Sequence, residues 1–182
     1  MRIIGGQWGG RRIHPPTNMP YTRPTTDIAK EGLFNMLQNM IDFEGIRSLD
    51  LFGGTGAITY ELLSRGAADC TIVEKDPAMF RFISDNLKAL QAPPVNALRM
   101  EVFKFLETAG GEYDFIFAGP PYALTTIDEL PRLVVVEKQL IAPDGWFVLE
   151  HTPRNNYEQA PGFVRMRNYG TTVFSFFQRQ PS

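Results

Sequence analysis

Apolar residues recur at helical spacing in TTDIAKEGLFNMLQNMI, residues 25–41. There Leu33, Phe34, Leu37 and Ile41 share one face, and Thr26 or Asp27 can cap the start. Beyond Gly45 the pattern changes. Short apolar runs over 47–52, 69–76, 95–100, 113–119 and 145–152 read as strands. Between them, helical spacing covers 57–66, 77–90, 103–109 and 126–141. Pro77 takes a first-turn position, where its missing N–H costs nothing, and Pro131 kinks the last helix. Two further strands, 163–170 and 171–179, meet at Gly170 and predict an antiparallel hairpin. Ahead of all this, RIIGG and RRI can pair across the turn QWGG, and the proline-rich stretch 14–24 must be extended or irregular.

Strands separated by helices demand parallel pairing with right-handed crossovers. Residues 27–182 therefore read as one doubly wound, Rossmann-like α/β domain. Its sheet is mostly parallel and seven-stranded with a C-terminal antiparallel hairpin, and a small basic N-terminal extension, 1–26, precedes it. The ligand crevice of such a sheet lies at the carboxyl ends of its strands.

Composition narrows the class. The 182 residues are 43% hydrophobic and 12% aromatic, enough for a packed core. No apolar run approaches the roughly 20 residues that span a bilayer, and MRIIGGQWGG lacks the apolar core of a signal peptide. The single cysteine, Cys70, follows a strand start and reads as an inert buried thiol. A cytoplasmic protein is expected. Net charge is −2, but it is unevenly spread. Residues 1–26 hold Arg2, Arg11, Arg12 and Arg23 and no acid, while the remainder is net acidic; residues 159–182 hold Arg165, Arg167 and Arg179 and again no acid. Basic ends on an acidic body suit local phosphate contact, or simply keep the ends solvated. His14 and His151 have no metal-ligand spacing, and no metal is expected.

Three stretches at predicted strand ends carry candidate chemistry. In LDLFGGTGAI, Gly53, Gly54 and Gly56 let the backbone turn tightly and approach a ligand, with Asp50 and Phe52 beside them. Thr59 stands where the dinucleotide fingerprint needs a small residue, and the carboxylate of Asp50 suits an ammonium group better than a pyrophosphate. In IVEKD, Glu74 lies about 20 residues beyond the glycines, where an acid can accept both hydroxyls of a ribose; Lys75 follows it. In DFIFAGPPYAL, two prolines make a rigid turn after a buried strand. The carbonyls of Gly119 and Pro120 can face the crevice, and Tyr122 can lie against a planar base or turn into the core. Met36, Met40, Phe80 and Phe82 sit at helical spacing and are expected in the core. Some of Tyr169, Phe174, Phe176 and Phe177 must also face it.

With glycine loop, ribose acid and Pro-Pro-Tyr in that order, the chain resembles class I S-adenosylmethionine-dependent methyltransferases that act on amino groups. MRIIGGQWGGRRI, RPTTDIAKEGLFNML, LDLFGGTGAI and NYGTTVFSFF narrow this further. They resemble the bacterial 16S ribosomal RNA guanine-N2 methyltransferase family along nearly the whole chain. The resemblance implies that Asp50, Phe52, Gly53, Gly54 and Gly56 cradle the methionine part of S-adenosylmethionine. Glu74, with Lys75, is implied at the ribose, and Glu101 with the Val102 backbone at the adenine edge. Arg11, Arg12, Arg23 and Thr25 are implied at RNA or closing over the cofactor. Gly119, Pro120, Pro121 and Tyr122 are implied as the catalytic turn that holds a guanine of the small ribosomal subunit, in a chain acting as a monomer.

Three positions depart from the family pattern. Ile28 replaces an arginine, Glu101 an aspartate, and Gly119 the aspartate or asparagine of the (Asp/Asn)-Pro-Pro-(Tyr/Phe) motif. Gly119 predicts an impaired enzyme. The competing expectations are an RNA- and cofactor-binding homologue acting in ribosome assembly, an adenine-N6 DNA methyltransferase, and a nicotinamide oxidoreductase.

Overall fold

A computed structural model describes residues 1–17 and 25–181. Its strands are β1 (Arg47–Leu51), β2 (Asp69–Val73), β3 (Asn96–Leu98), β4 (Tyr113–Ala118), β5 (Ile141–His151), β6 (Phe163–Tyr169) and β7 (Thr172–Phe177). Helices α1 (Asp27–Leu37), α2 (Ala57–Ser64), α3 (Pro77–Ala89), α4 (Val102–Thr108) and the single turn α5 (Glu129–Pro131) connect them. The strands form one sheet in the order β3-β2-β1-β4-β5-β7-β6. Pairing is parallel from β3 through β5 and antiparallel for β5–β7 and β7–β6. The doubly wound α/β sheet with its C-terminal hairpin is the architecture the alternating pattern predicts.

Both faces of the sheet are covered, so successive residues of a strand enter different cores. In β4, Phe115 and Phe117 pack with α1 and α2 residues Leu33, Phe34, Ile58 and Leu62. Ile116 and Ala118 pack on the other side with Val102, Leu106 and Leu130. In β7, Phe174 and Phe176 join the first core and Phe177 the second; all three are fully buried. Burial on both faces is why these strands are apolar runs rather than alternating ones.

Several boundaries depart from the periodicity. α1 ends at Leu37, four residues early, and Ile41 is only half-buried beyond the turn Gln38–Met40. α1 opens as expected, with Thr26 Oγ1 accepting from Ala29 N at 3.1 Å. Phe80 and Phe82, expected in the core, are half-exposed, as are Met36 and Met40; α3 instead buries Met79 and Ile83, which spacing did not single out. The predicted helix 126–141 is instead α5 followed by a π-helical segment, Arg132–Glu137. Pro131 supplies no N–H and crowds the preceding turn, and the coil widens: Lys138 N donates to Leu133 O. Ile141, assigned by spacing to the helix, starts β5. β5 bulges against β4 between Tyr113 and Phe115, where it carries Pro143 and Gly145. A Cβ on Gly145 would stand 2.8 Å from Tyr113 O.

The N-terminal residues form the expected hairpin, with Ile3 N donating to Arg11 O and Ile13 N to Met1 O, both at 2.9 Å. It is anchored on the body. Ile3 and Ile13 are buried against Tyr60 and Leu90. Glu61 of α2 accepts from Ile4 N and Gly5 N at 2.9 Å, and Lys30 Nζ donates to Arg2 O at 2.6 Å. Among the described residues no helix is long and apolar enough to cross a membrane, and no cluster of His, Cys, Asp or Glu is placed to hold a metal. Cys70 is buried, and burial pushes its thiol up to about 11.

Candidate active site

Because β3, β2, β1, β4 and β5 run parallel, their carboxyl ends lie in a row at roughly 4.8 Å spacing. That row reads Glu101, Glu74, the glycine loop, Gly119 and Glu150. The strand order reverses between β1 and β4, the position where such sheets open a crevice.

The loop after β1 is built by unusual backbone. Phe52 is left-handed at φ 62°, and Gly54 and Gly56 follow at 58° and 84°. A side chain on Gly53 would strike Ile72, and one on Gly56 the Tyr60 ring at 2.5 Å. At Gly54 the nearest atom to an added Cβ is 3.9 Å away, so the backbone there faces open space. Gly53 N donates to Val73 O and Gly56 N to Gly53 O, each at 2.8 Å.

Glu74 ties this loop to its neighbour. One carboxylate oxygen accepts from Gly54 N and the other from Asp76 N, both at 2.8 Å. Burial raises its carboxyl above the ordinary value, against the pull of these two N–H groups. Lys75 beside it is exposed. Asp50 is buried beneath the loop and accepts from Thr59 Oγ1 at 2.7 Å. Burial pushes Asp50 up to about 7; the Thr59 bond opposes this and the negative charge of Glu74 adds to it. Thr59, which breaks the dinucleotide fingerprint, is therefore the partner of the loop's acid. Glu101 accepts from Lys104 N at 3.0 Å and caps α4, whose first residue, Val102, is buried.

The acceptor side begins at Gly119. Its N–H donates to Leu51 O at 3.4 Å, joining the ends of β4 and β1. The turn closes through Leu124 N to Pro121 O at 3.0 Å, which uses neither the Gly119 nor the Pro120 carbonyl. Pro120 is buried, Pro121 half-buried and Tyr122 55% exposed, so Tyr122 is not a core residue. One residue that spacing did not single out lies on this side. Glu150, near the end of β5, is buried, and its Oε1 accepts from Thr25 Oγ1 at 2.5 Å. His151 is buried beside it, with Nε2 2.7 Å from Ser175 Oγ. An acid ending the apolar run WFVLE was the available signal.

The basic residues do not all gather here. Arg11 and Arg12 are exposed on the hairpin. The Arg11 guanidinium reaches Ala89 O, at the last residue of α3 and about a helix length, roughly 20 Å, from the Glu74 end. Arg23 lies outside the described residues. Ile28 is 77% exposed on the first turn of α1.

This sheet order, with a glycine loop after the first strand, an acid after the second and Pro-Pro-Tyr after the fourth, defines a class I S-adenosylmethionine-dependent methyltransferase. Comparison with known proteins agrees. The chain belongs to the family described as Conserved hypothetical protein 95, which matches residues 1–178. It is homologous to Ribosomal RNA small subunit methyltransferase D of Escherichia coli, 32% identical over 99% of this chain and 90% of that protein. The solved Escherichia coli methyltransferase YhhF superposes with a TM-score of 0.86 at 29% identity, covering 100% and 99% of the two chains. The Thermus thermophilus 16S rRNA N2 G1207 methyltransferase RsmC, solved with AdoMet and guanosine, matches at 28% identity and a TM-score of 0.67. That match covers 86% of this chain and 44% of that one.

The residues present fit the cofactor. Open space over Gly54 admits a ligand against the backbone, and a buried acid at Asp50 suits an ammonium group.

Proposed function

We propose that this chain methylates the exocyclic N2 of a guanine in 16S rRNA of the small ribosomal subunit. The observation that carries the reading is the direct bond between the two halves of the crevice. Gly119 N to Leu51 O sets the Pro-Pro-Tyr turn beside the glycine loop, as transfer between two bound groups requires. The rRNA methyltransferase relatives, and guanosine in the RsmC complex, support the choice of base and RNA.

S-adenosylmethionine, when bound, supplies an electrophilic methyl on a sulfonium leaving group. The chain's residues hold and orient. Asp50, with Phe52 and the glycines Gly53, Gly54 and Gly56, takes the amino-acid end, Glu74 with Lys75 the ribose, and Glu101 with the Val102 backbone the adenine edge. Gly119, Pro120, Pro121 and Tyr122 hold the guanine, the Tyr122 ring lying on its face. Segment 1–26, with Arg11, Arg12, Arg23 and Thr25, contacts RNA, and residues 27–182 form the transferase domain. The protein works as a monomer in the cytoplasm, without a metal.

Labelled methyl transfer to small subunits from a methylation-deficient strain tests this. N2-methylguanosine at a single mapped base is expected. Label on adenine in DNA, or cofactor binding with no transfer to any RNA, would overturn the reading.

Asp50 adds a pH signature. Its folded value, about 7, lies above its ordinary 3.8, so the native state holds a proton that the unfolded chain has lost. Stability of the free protein therefore falls as pH rises from about 4 to 7. An ammonium group beside Asp50 favours the carboxylate. S-adenosylhomocysteine should bind more tightly as pH rises from 6 to 8, by up to about tenfold, with protons released below pH 7. Calorimetry in two buffers of different ionisation enthalpy measures this. Asp50→Asn should abolish the proton release, and release that persists in that variant would remove Asp50 from the site.

A further inference from the structure

After Glu158 the chain holds three arginines and no acid. The fold treats the three differently. Arg179, beyond the end of β7, pairs with Glu112 at 2.8 Å and is neutralised there. Arg165 of β6 is held by neutral groups: its guanidinium lies over the Phe176 ring, 5.7 Å from the centroid, and donates to Met40 Sδ at 3.1 Å. Arg167 is exposed, and no acid among the described residues pairs with it.

The sheet fixes where Arg167 stands. β6 and β5 are both antiparallel to β7, so they run in the same direction, and the end of β6 lies at the crevice end of the sheet. Glu150 is opposite Phe174, and Phe174 is opposite Arg167. Directly opposed residues share a face, so Arg167 projects on the side where Phe174 packs in the core of α1. Ala118 is opposite Leu149, which puts Gly119 on the same level. Three strand spacings separate the two positions, about 14 Å, which an RNA strand covers in a few nucleotides.

A second unneutralised cation stands at this end. Arg154 follows β5 in a turn fixed by its own N–H on Thr152 Oγ1 at 3.3 Å, and its side chain is exposed. Asp128, the acid bound by this turn, accepts instead from Tyr157 Oη at 2.8 Å and Asn155 Nδ2 at 3.4 Å. Neutral donors therefore satisfy the acid, and the Arg154 guanidinium has no ion-pair partner among the described residues. The hairpin arginines cannot serve this flank, because Arg11 sits about a helix length away at the end of α3.

We propose that Arg154 and Arg167 hold backbone phosphates of the RNA strand entering the acceptor side of the crevice, with Arg165 extending the contact along β6. This rests on the RNA assignment above and adds the face on which that RNA lies. Two exposed guanidiniums without counter-charge, on the level of Gly119, are complementary to a phosphate chain and read no sequence themselves.

The test is the salt dependence of binding, with S-adenosylhomocysteine present, to protein-free 16S rRNA and to small subunits from a methylation-deficient strain. Each phosphate contact on a single strand contributes about 0.7 to the slope of log affinity against log salt. Arg154→Ala and Arg167→Ala should each reduce the slope by about that amount, and the double variant by about 1.4. Each single loss corresponds to about fivefold weaker binding near 0.1 M salt, vanishing as salt approaches about 1 M. Arg179→Ala should change neither slope nor affinity, and S-adenosylhomocysteine affinity should be the same in all variants. A merely structural role would weaken binding by one factor at every salt concentration. That result, or an unchanged slope in the double variant, overturns the inference alone. An effect on intact subunits that is absent on protein-free rRNA would assign the patch to an acidic ribosomal protein and overturn it as well. If the unaltered chain neither binds RNA nor transfers methyl to it, the guanine assignment and the inference fall together.

Discussion

Glu61→Ala should lower the thermal midpoint by about 6–20 °C, corresponding to the roughly 3–5 kcal/mol lost when one partner of a buried ion pair is removed from a chain of this size. Glu61 and Lys30 are both essentially inaccessible, with Nζ 3.6 Å from Oε1. Arg65 Nε donates to the same carboxylate at 3.0 Å, and Ile4 N and Gly5 N at 2.9 Å. Burial lowers the Lys30 amine below its ordinary value, with Glu61 as its largest opposing influence. Alanine at 61 would leave that amine without its counter-charge and two backbone N–H groups of the hairpin without acceptors. The hairpin would loosen from α2, and its buried Ile3 and Ile13 lie against Tyr60, whose ring touches the space beside Gly56. Differential scanning calorimetry of Glu61→Ala and of Glu61→Ala with Lys30→Met separates the causes. The second variant should recover much of the loss, because an apolar side chain replaces the stranded charge. A midpoint shift under 1 °C for Glu61→Ala would show that the network contributes nothing net.

Glu74→Ala should weaken S-adenosylhomocysteine binding by about 10²-fold or more, since hydrogen bonds to a charged acceptor contribute about 1.5–3 kcal/mol each. Two effects combine. The proposed acceptor for the ribose hydroxyls disappears, and Gly54 N and Asp76 N lose the carboxylate that holds the loop against the start of α3. Glu74→Gln keeps one acceptor oxygen and should lose only about tenfold. Isothermal titration gives both constants. Binding within threefold of the unaltered protein in Glu74→Ala would mean that the ribose lies elsewhere. Urea unfolding of the free variants isolates the loop contribution, because it is read without any ligand.

The two residues differ in how visible they are from the sequence. Glu74 announces itself, because its distance from the glycines and its place after an apolar run belong to local spacing. The same is true of Asp50, the three glycines and the Pro-Pro-Tyr turn. Glu61 is the only charged residue of α2, with nothing in the local pattern to say what it meets until the hairpin folds back across it. Glu150 is likewise a strand-end acid until β5 pairs with β4 and brings it beside Gly119.

What the chain's pattern determined alone is the sequence of elements, the parallel sheet with its terminal hairpin, and the strand-end loops to which the chemistry is assigned by proposal. These follow from periodicity, from glycine and proline at turns, and from the rule that strands joined by helices pair in parallel. Packing decided the rest. α1 stops at Leu37, the helix after Pro131 widens, Phe80 stays half-exposed, and Thr59 becomes the partner of Asp50, because each depends on which distant residues arrive alongside. A linear pattern records which side chains prefer burial, but only the assembled sheet sets a carboxylate of one strand beside the glycine that ends the next.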